Sequence, residues 1–279
     1  MNWPLAAVAQ FCASSAISRN ATICSELVER AAAQGVKTVF FPEASDFIAE
    51  STKESIQLTT SLKESSFVKS LQESARDKRI WISIGVHEAS SSPDQIYNSH
   101  LLINDEGNVV SVYRKIHLFD VDIKNGPRLM ESDSTRSGDI IPDPVLTPIG
   151  NVAQQTCYDL RFAELSIAQR HRGADILTFP SAFTVKTGQA HWEPLLRARA
   201  IETQTYVIAA AQIGQHNSKR SSFGNSMIID PWGTVIARAS ESTTPSLAIA
   251  PIDLDYLEKI RAEMPVMTHR KNDVYPKIY

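Results

Sequence analysis

Three residues of this chain carry side chains that together could attack an amide carbonyl. Cys157 is a sulfur nucleophile once its thiol loses a proton, and Glu43 is a carboxylate that could take that proton. Lys115 is a cation that could stabilise the resulting oxyanion. Each also has an ordinary structural interpretation, as a buried cysteine, a helix-capping acid and a solvated strand-end lysine. Only the combination indicates covalent cysteine catalysis.

All three residues stand at the ends of segments that predict strands. Glu43 follows VKTVFFP, Lys115 ends VVSVYRK, and Cys157 ends NVAQQTC. Short apolar runs of this kind are typical of strands in a buried sheet. Because open α/β sheets place their sites at the carboxyl ends of strands, we expect the three side chains to meet at one edge.

The remaining segments alternate strands with amphipathic helices. The pattern predicts further strands at 5–11, 81–88, 174–180 and 206–212, helices ending near Gly35 and at 164–172, 192–204 and 255–264, a helix around 67–75, and a loop at 118–144. Two hairpins are also expected, one turning at DEGN and the other at PWG. This order predicts an α/β sandwich with mixed sheets, formed by a single domain spanning residues 1–279.

Composition restricts the class of partner. The chain has 279 residues, a net charge of −3 and 43% hydrophobic residues, so nothing favours nucleic acid or a membrane, and a small-molecule substrate is expected. Three cysteines without a C-x-x-C pair predict a reducing compartment, the cytoplasm; a mitochondrial form from an alternative start is compatible with this. Seven histidines include no H-x-x-x-H or H-E-x-x-H pair, so no metal or other cofactor is expected.

Three motifs resemble those of the nitrilase superfamily of carbon–nitrogen hydrolases. They are FPEAS with Glu43, YRKIHLFD with Lys115, and TCYDLRFAE with Cys157, in the order and at the separations of that family. The resemblance extends through PSAFTVKTGQAHWEPLLRARAIETQ and SFGNSMIIDPWG, and therefore covers nearly the whole chain. It implies a four-layer αββα sandwich and homodimers formed through the helices on the nucleophile side. It also implies that Glu193 supports the lysine and the substrate.

Within the superfamily, four stretches resemble the Nit branch and its deaminated glutathione amidases: HLFDVDIKNGP, PSAFTVKTG, RARAIETQTYVIAAAQ and DPWGTVIAR. The substrate this implies is glutathione whose amino-acid end has become an α-keto acid, cleaved to α-ketoglutarate and cysteinyl-glycine. Arg161 could bind the keto-acid carboxylate, although a structural salt bridge with Glu164 is equally compatible with its position. The segment before the helix of Glu193 lines the pocket by resemblance. The substrate-binding candidates are therefore Arg161, Tyr158, Phe183 and Thr187, of which Tyr158 and Phe183 could instead only pack.

Other functions remain compatible with the same residues. Ala163 resembles the ω-amidases, which act on α-ketoglutaramate, whereas Ser181 and Thr184 resemble the glutathione-linked branch. A binding or scaffold protein without catalysis is a second alternative, and a nitrilase acting on C≡N bonds is a third. The four expected catalytic residues, Glu43, Lys115, Cys157 and Glu193, are all intact, which favours an enzyme over a scaffold.

Overall fold

The computed structural model describes residues 3–122, 124 and 128–275. The first half of the chain contains β1 (Leu5–Phe11), α1 (Ile17–Ala33), β2 (Val36–Phe40), α2 (Thr52–Leu58), α3 (Ser66–Lys78), β3 (Trp81–Ala89), β4 (Ile96–Ile103), β5 (Val109–Arg114), β6 (Asp120–Asp122), β7 (Arg128–Met130) and a 3₁₀ turn (Glu131–Asp133). In this half, the strands predicted at 5–11, 36–42 and 81–88 are present, and so is the hairpin predicted to turn at DEGN.

The second half contains β8 (Val145–Thr147), β9 (Gly150–Gln154), a 3₁₀ turn (Cys157–Arg161), α4 (Ala163–His171), β10 (Ile176–Thr178), α5 (Val185–Thr203), β11 (Tyr206–Ala209), β12 (Ala211–Gln215), β13 (Ser221–Phe223), β14 (Met227–Ile229), β15 (Val235–Arg238), β16 (Ser246–Pro251) and α6 (Leu254–Glu263). Within the described ranges, no helix is long and apolar enough to cross a membrane.

Two mixed sheets form the centre of the fold. The first has the order β13-β12-β1-β2-β3-β4-β5, and β16 pairs antiparallel with β1. The second has the order β15-β14-β11-β10-β9-β8, while β6 and β7 form a separate hairpin. Because β1, β2 and β3 pair in parallel, as do β9, β10 and β11, each sheet aligns the carboxyl ends of its central strands.

The fold has four layers, because central strands such as β1 are buried on both faces. In β1, Ala7 and Ala9 pack with helices α1 and α3, whereas Ala6 and Val8 face the second sheet. The outer face of the second sheet packs against α5 through residues such as Trp192. Helix, sheet, sheet and helix therefore enclose three apolar layers, which confirms the predicted αββα sandwich.

The strand predicted at 206–212 is in fact two strands. Tyr206–Ala209 belongs to the second sheet, whereas Ala211–Gln215 pairs with β1 in the first. The chain passes between the sheets at Ala210, which is buried. A continuous apolar run has no turn signal, so its periodicity could not show this change of sheet.

The loop predicted at 118–144 also contains regular structure. The hairpin β6–β7 is followed directly by the 3₁₀ turn that begins at Glu131. The Phe119 backbone N–H donates to the Glu131 carboxylate at 2.7 Å, and the Glu131 N–H donates to the Phe119 carbonyl at 3.2 Å. These bonds hold Glu131 beside Phe119, in the segment that follows β5.

Replacing Gly85 of β3 with Ala should disturb the turn that carries Glu43. A Cβ at this position would lie 2.7 Å from the Glu43 Cα and 3.1 Å from the Pro42 carbonyl oxygen. Because backbone must move, we expect a loss of about 1–3 kcal/mol in unfolding free energy together with a fall in kcat. Urea unfolding and steady-state kinetics measure the two effects.

The control for this prediction is Val86→Ala, a change at the next position of the same strand. Val86 is buried among the side chains between the first sheet and its helices. Its truncation should lower stability through a cavity but leave kcat nearly unchanged. Wild-type kcat and stability in Gly85→Ala would contradict the prediction.

Candidate active site

Cys157 begins a 3₁₀ turn just beyond β9. Its φ is +48°, a conformation that costs energy for a residue with a Cβ and that is often found at functional sites. The Cys157 backbone N–H donates to the Pro180 carbonyl at 3.0 Å, and Pro180 follows β10, the parallel neighbour of β9. The end of the adjacent strand therefore holds this strained turn. The thiol is buried, and it lies close enough to the Glu43 carboxylate for each group to shift the pKa of the other.

Glu43 lies in the turn after β2, and two other strands hold that turn. The Ser45 N–H donates to the Gly85 carbonyl at 2.9 Å, and the Gly85 N–H donates to the Pro42 carbonyl at 3.1 Å. On the opposite side, the Gln212 side-chain amide donates to the Glu43 carbonyl at 3.1 Å. Only 4% of Glu43 is exposed, so protein groups rather than bulk water must stabilise its carboxylate.

Lys115 follows β5 and is almost fully buried. Its Nζ lies 3.1 Å from Glu43 Oε1 and 2.8 Å from Glu131 Oε2. The Asn98 side-chain amide donates to Glu43 Oε1 at 2.7 Å and to Glu131 Oε1 at 3.2 Å. The Lys115 N–H in turn donates to the Asn98 carbonyl at 2.9 Å. An ammonium and an amide therefore connect two carboxylates beside the thiol.

Glu131 and Asn98 were not among the site residues expected from the sequence. Glu131 lies in a segment without periodicity, and Asn98 lies within a hairpin strand whose partner, β5, leads to Lys115. Asn98 is followed by the polar residues Ser99 and His100 in β4, so no local pattern distinguishes it. No spacing rule relates Glu131 to Lys115. The β6–β7 hairpin brings Glu131 back to the lysine, and the sequence of this hairpin has no regular pattern.

Glu193 does not occupy the place expected for it. Its carboxylate pairs with Arg238 of β15 and lies 3.9 Å from an Arg197 nitrogen, and its side chain is 36% exposed. The neighbouring Trp192 and Leu196 are buried, so the rotation of α5 directs Glu193 toward β15. The expectation that Glu193 supports the lysine is therefore corrected: among the described residues, the carboxylates that contact the ammonium are Glu43 and Glu131.

The surroundings of Glu43 favour its ionised form. Burial opposes ionisation, but the nearby Lys115 ammonium and hydrogen bonds outweigh that penalty, so the pKa of Glu43 lies below its usual value. The donors are the Cys157 thiol and the Asn98 amide, and the Arg220 guanidinium adds a further attraction. Glu43 is thus a carboxylate at neutral pH and can accept a proton.

The thiol and the ammonium keep their protons in the resting site. Burial raises the pKa of the Cys157 thiol well above its ordinary value, and the negative charge of Glu43 raises it further. Burial alone would lower the pKa of Lys115, but Glu131 and Glu43 hold it well above its usual value. The site therefore combines a protonated nucleophile, an ionised base and a permanent cation.

Asp159 connects the nucleophile turn to the segment that carries Lys115. Its fully buried carboxylate accepts from the Tyr113 hydroxyl at 2.7 Å and from the Thr156 N–H at 2.8 Å. It also accepts from the His117 N–H at 3.2 Å and lies 2.8 Å from the His117 Nδ1. Because Tyr113 and His117 flank Lys115, Asp159 fixes the lysine relative to the turn of Cys157.

The expected substrate-binding residues lie around the nucleophile turn. The Arg161 guanidinium carbon is 5.9 Å from the centre of the Tyr158 ring and 5.8 Å from that of Phe183, and its Nη2 lies 3.2 Å from His191 Nδ1. The structure brings these side chains together, and it shows His191 rather than Glu164 as the polar partner of Arg161. Thr187 hydrogen-bonds with Thr184 at 2.7 Å at the start of α5.

This arrangement has the groups that acyl transfer requires. A carboxylate base lies next to a thiol nucleophile, and a buried ammonium lies close to both. The backbone N–H of Tyr158 follows the nucleophile in the same turn and could be an additional donor for a developing oxyanion. Within the described residues, no cluster of three or more His, Cys, Asp or Glu side chains could hold a metal ion.

Comparison with known proteins gives one consistent result. The profile of the carbon–nitrogen hydrolase family matches residues 5–262. The chain is 51% identical to the probable hydrolase nit2 of Schizosaccharomyces pombe, over 98% of this chain and 99% of that protein. It is 48% identical to the deaminated glutathione amidase of Homo sapiens, over 98% of this chain and 84% of that protein.

Solved structures show the same fold. The NitFhit protein of C. elegans superposes with a TM-score of 0.92 at 43% identity, covering 98% of this chain and 66% of that longer chain. Saccharomyces cerevisiae Nit3, a member of branch 10 of the nitrilase superfamily, superposes with a TM-score of 0.84 at 28% identity, covering 96% of each chain.

Replacing Asn98 with Ala should move the acid limb of the kcat/KM pH profile to higher pH. Activity is lost as Glu43 becomes protonated, and the Asn98 amide stabilises the ionised carboxylate. Losing one hydrogen bond to a charged group should raise the pKa of Glu43 by about one unit. Asn108→Ala, in the exposed turn before β5, is the control. An unshifted acid limb in Asn98→Ala would contradict the prediction.

Proposed function

This chain belongs to the carbon–nitrogen hydrolase family, in the Nit branch of the nitrilase superfamily, and from that premise we propose that its substrate is deaminated glutathione. The family makes it a hydrolase of carbon–nitrogen bonds other than peptide bonds. The observation that carries the proposed chemistry is the buried Lys115 ammonium 3.1 Å from the Glu43 carboxylate, with the buried Cys157 thiol beside them. The substrate comes from the relatives that bear that name.

Acylation begins with proton transfer. Glu43 takes the thiol proton while the Cys157 sulfur attacks the carbonyl carbon of the scissile amide. The oxyanion of the tetrahedral intermediate is stabilised by the Lys115 ammonium and the Tyr158 N–H. Protonated Glu43 then gives its proton to the departing amine of cysteinyl-glycine, and the acyl group remains on Cys157 as a thioester.

Deacylation uses the same groups in reverse. Glu43, again a carboxylate, takes a proton from a water molecule that attacks the thioester carbonyl. Collapse of the second tetrahedral intermediate breaks the C–S bond and releases α-ketoglutarate, and the proton on Glu43 returns to the sulfur. No group other than the chain, the substrate and water takes part in this cycle.

Glu131 replaces Glu193 as the fourth member of the proposed catalytic group. A lysine held only by Glu43 would lose its partner each time Glu43 accepts a proton. The 2.8 Å contact with Glu131 Oε2 keeps the Lys115 ammonium paired and in place throughout the cycle. Glu131 acts as a positioning residue in this proposal, whereas Glu193 pairs with Arg238 and takes no part in the reaction.

The acyl half of the substrate would bind beside the nucleophile turn. A guanidinium binds a carboxylate through two parallel hydrogen bonds, and Arg161 is the cation nearest the Tyr158 and Phe183 rings. These rings would contact the methylene groups between the keto acid and the scissile amide. Thr187, at the start of α5, would donate to a polar oxygen of the same half.

A product assay tests the proposed function. Purified wild-type protein should convert deaminated glutathione into α-ketoglutarate and cysteinyl-glycine in equal amounts. Cys157→Ala should lower turnover by several orders of magnitude with unchanged folding, because the covalent step is removed. Cys24→Ala is the matched control, since Cys24 is buried between α1 and the first sheet.

The same assay separates the alternatives. A higher kcat/KM for α-ketoglutaramate than for deaminated glutathione would overturn the substrate and favour an ω-amidase. Release of no product from any short amide would favour a scaffold protein instead. Cleavage of a nitrile panel in preference to amides would indicate a nitrilase.

We also propose a single-domain homodimer, in a cytoplasmic setting, formed through the helices on the nucleophile side. Ile201 on α5 is 48% exposed, and Trp232 in the adjacent β14–β15 turn is 59% exposed. They are neighbours, because a Cβ on Gly233 would lie 2.6 Å from the Ile201 side chain. This apolar area is suited to self-association.

Ile201→Asp should therefore shift the protein from dimer toward monomer in analytical ultracentrifugation, because it introduces a charge into the proposed interface. Leu146→Asp is the control, since Leu146 is 73% exposed on β8, at the edge of the second sheet away from β15. A monomeric wild type, or a dimer unaffected by Ile201→Asp, would contradict this interface.

A further inference from the structure

Arg220 lies in the turn between β12 and β13, and the backbone of this turn is well anchored. The Arg220 N–H donates to Asn217 Oδ1 at 3.0 Å, and the Arg220 carbonyl accepts from the His216 N–H at 2.9 Å. The Asn217 side-chain amide donates to the Ala49 carbonyl at 3.2 Å, within the segment that follows Glu43. The backbone that carries the arginine is thus attached to the Glu43 side of the site.

The guanidinium of Arg220 is exposed and unpaired. Across residues 3–122, 124 and 128–275, no hydrogen bond, ion pair or ring contact involves this group. Its charge nevertheless reaches the site: it lowers the pKa of Glu43, although burial, the Lys115 ammonium and the hydrogen bonds have larger effects. An anchored arginine near the base, with all its donors free, is suited to bind an anion that enters with the substrate.

The strand that follows Arg220 contacts the segment that carries Phe183. The Phe223 N–H donates to the Phe183 carbonyl at 3.0 Å, and Ser222 forms a bridge with Thr184. A Cβ on Gly188 of α5 would lie 2.3 Å from the Phe223 side chain, so helix and strand pack closely. The β12–β13 hairpin therefore spans from the Glu43 turn to the segment that carries Phe183.

The two arginines of this region lie on different elements. Arg161 belongs to the nucleophile turn and lies beside Tyr158 and Phe183, next to the proposed site of the acyl group. Arg220 belongs to the hairpin of the first sheet, on the side of Glu43. Since Glu43 must reach the leaving nitrogen to protonate it, the Glu43 side is where the leaving group departs.

The proposed substrate has a carboxylate at each end. One belongs to the keto acid, and the other is the terminal carboxylate of the glycine in the leaving group. Two extended residues span about 7 Å, which places the second carboxylate beyond the scissile amide by roughly the length of an arginine side chain.

We propose that Arg220 binds the terminal carboxylate of the dipeptide leaving group and so selects amides of acidic peptides over amides that release a small neutral amine. This inference rests on the proposed function. It assigns leaving-group specificity to a residue of the first sheet, separate from the acyl-binding residues around Arg161.

The test compares two substrates that differ only at the far carboxylate. One is deaminated glutathione, and the other carries a carboxamide in place of the glycine carboxylate. The wild type should prefer the carboxylate about tenfold in kcat/KM, mainly through KM, as expected for a charged hydrogen bond at a partly exposed site. Arg220→Ala should reduce this ratio to about one, Arg220→Lys should keep part of it, and added salt should weaken it in the wild type.

Lys219→Ala is the matched control, because it removes the same charge from the adjacent exposed position of the same turn. It should keep the wild-type ratio. The inference would be overturned if the wild type had equal kcat/KM for the two substrates. It would also be overturned if Arg220→Ala kept the wild-type preference for the carboxylate. The same holds for an Arg220→Ala variant that loses activity equally on both substrates with an upward shift of the acid limb, since Arg220 would then act only through Glu43.

If the proposed function itself is wrong, the same test gives a different result. A wild type that cleaves neither compound, or that prefers α-ketoglutaramate, would overturn the substrate assignment and with it this inference. A wild type that cleaves both compounds at equal rates would leave the amidase function intact and overturn only the role of Arg220.

Discussion

The buried ion cluster of Lys115, Glu43 and Glu131 is the constraint on which the site depends. Removing a carboxylate from water is costly, and Glu43 remains ionised there only because an ammonium and hydrogen-bond donors compensate for burial. Burial, and then the negative charge of the neighbouring Glu43, keep Cys157 as a thiol by raising its pKa. The proposed base is therefore charged and the proposed nucleophile neutral before the substrate arrives, which is the order that proton transfer requires.

Both sheets are needed to assemble this cluster. Glu43 and Lys115 follow strands of the first sheet, whereas Cys157 follows a strand of the second, so the site lies where the carboxyl ends of the two sheets meet. The Asp159 carboxylate joins the two parts through Tyr113 and His117 on one side and Thr156 on the other. A shift between the sheets would therefore separate the thiol from its base, and the apolar layer between them opposes such a shift.

Two groups of residues near the cluster would contact the two halves of the proposed substrate. The nucleophile turn and the start of α5 bring Arg161, Tyr158 and Phe183 together, which suits an anionic, partly apolar acyl group. The β12–β13 hairpin carries Arg220 on the Glu43 side, where the amine would leave. Family membership defines the bond type that is hydrolysed. These two groups of residues would determine the specificity for the acyl group and for the leaving group.

The sequence by itself determined the layers of the fold and the three residues at the strand ends. Short apolar runs predict strands in a buried sheet, and Glu43, Lys115 and Cys157 are visible because each stands at the end of a segment predicted as a strand. Which acid contacts the lysine was decided only in the tertiary structure. An irregular hairpin returns Glu131 to Lys115, and the rotation of α5 turns Glu193 toward Arg238 instead. The division of 206–212 between two sheets was equally invisible. Local sequence patterns indicate which side chains are buried. Which charged residues from distant parts of the sequence come into contact depends on how the helices and strands pack.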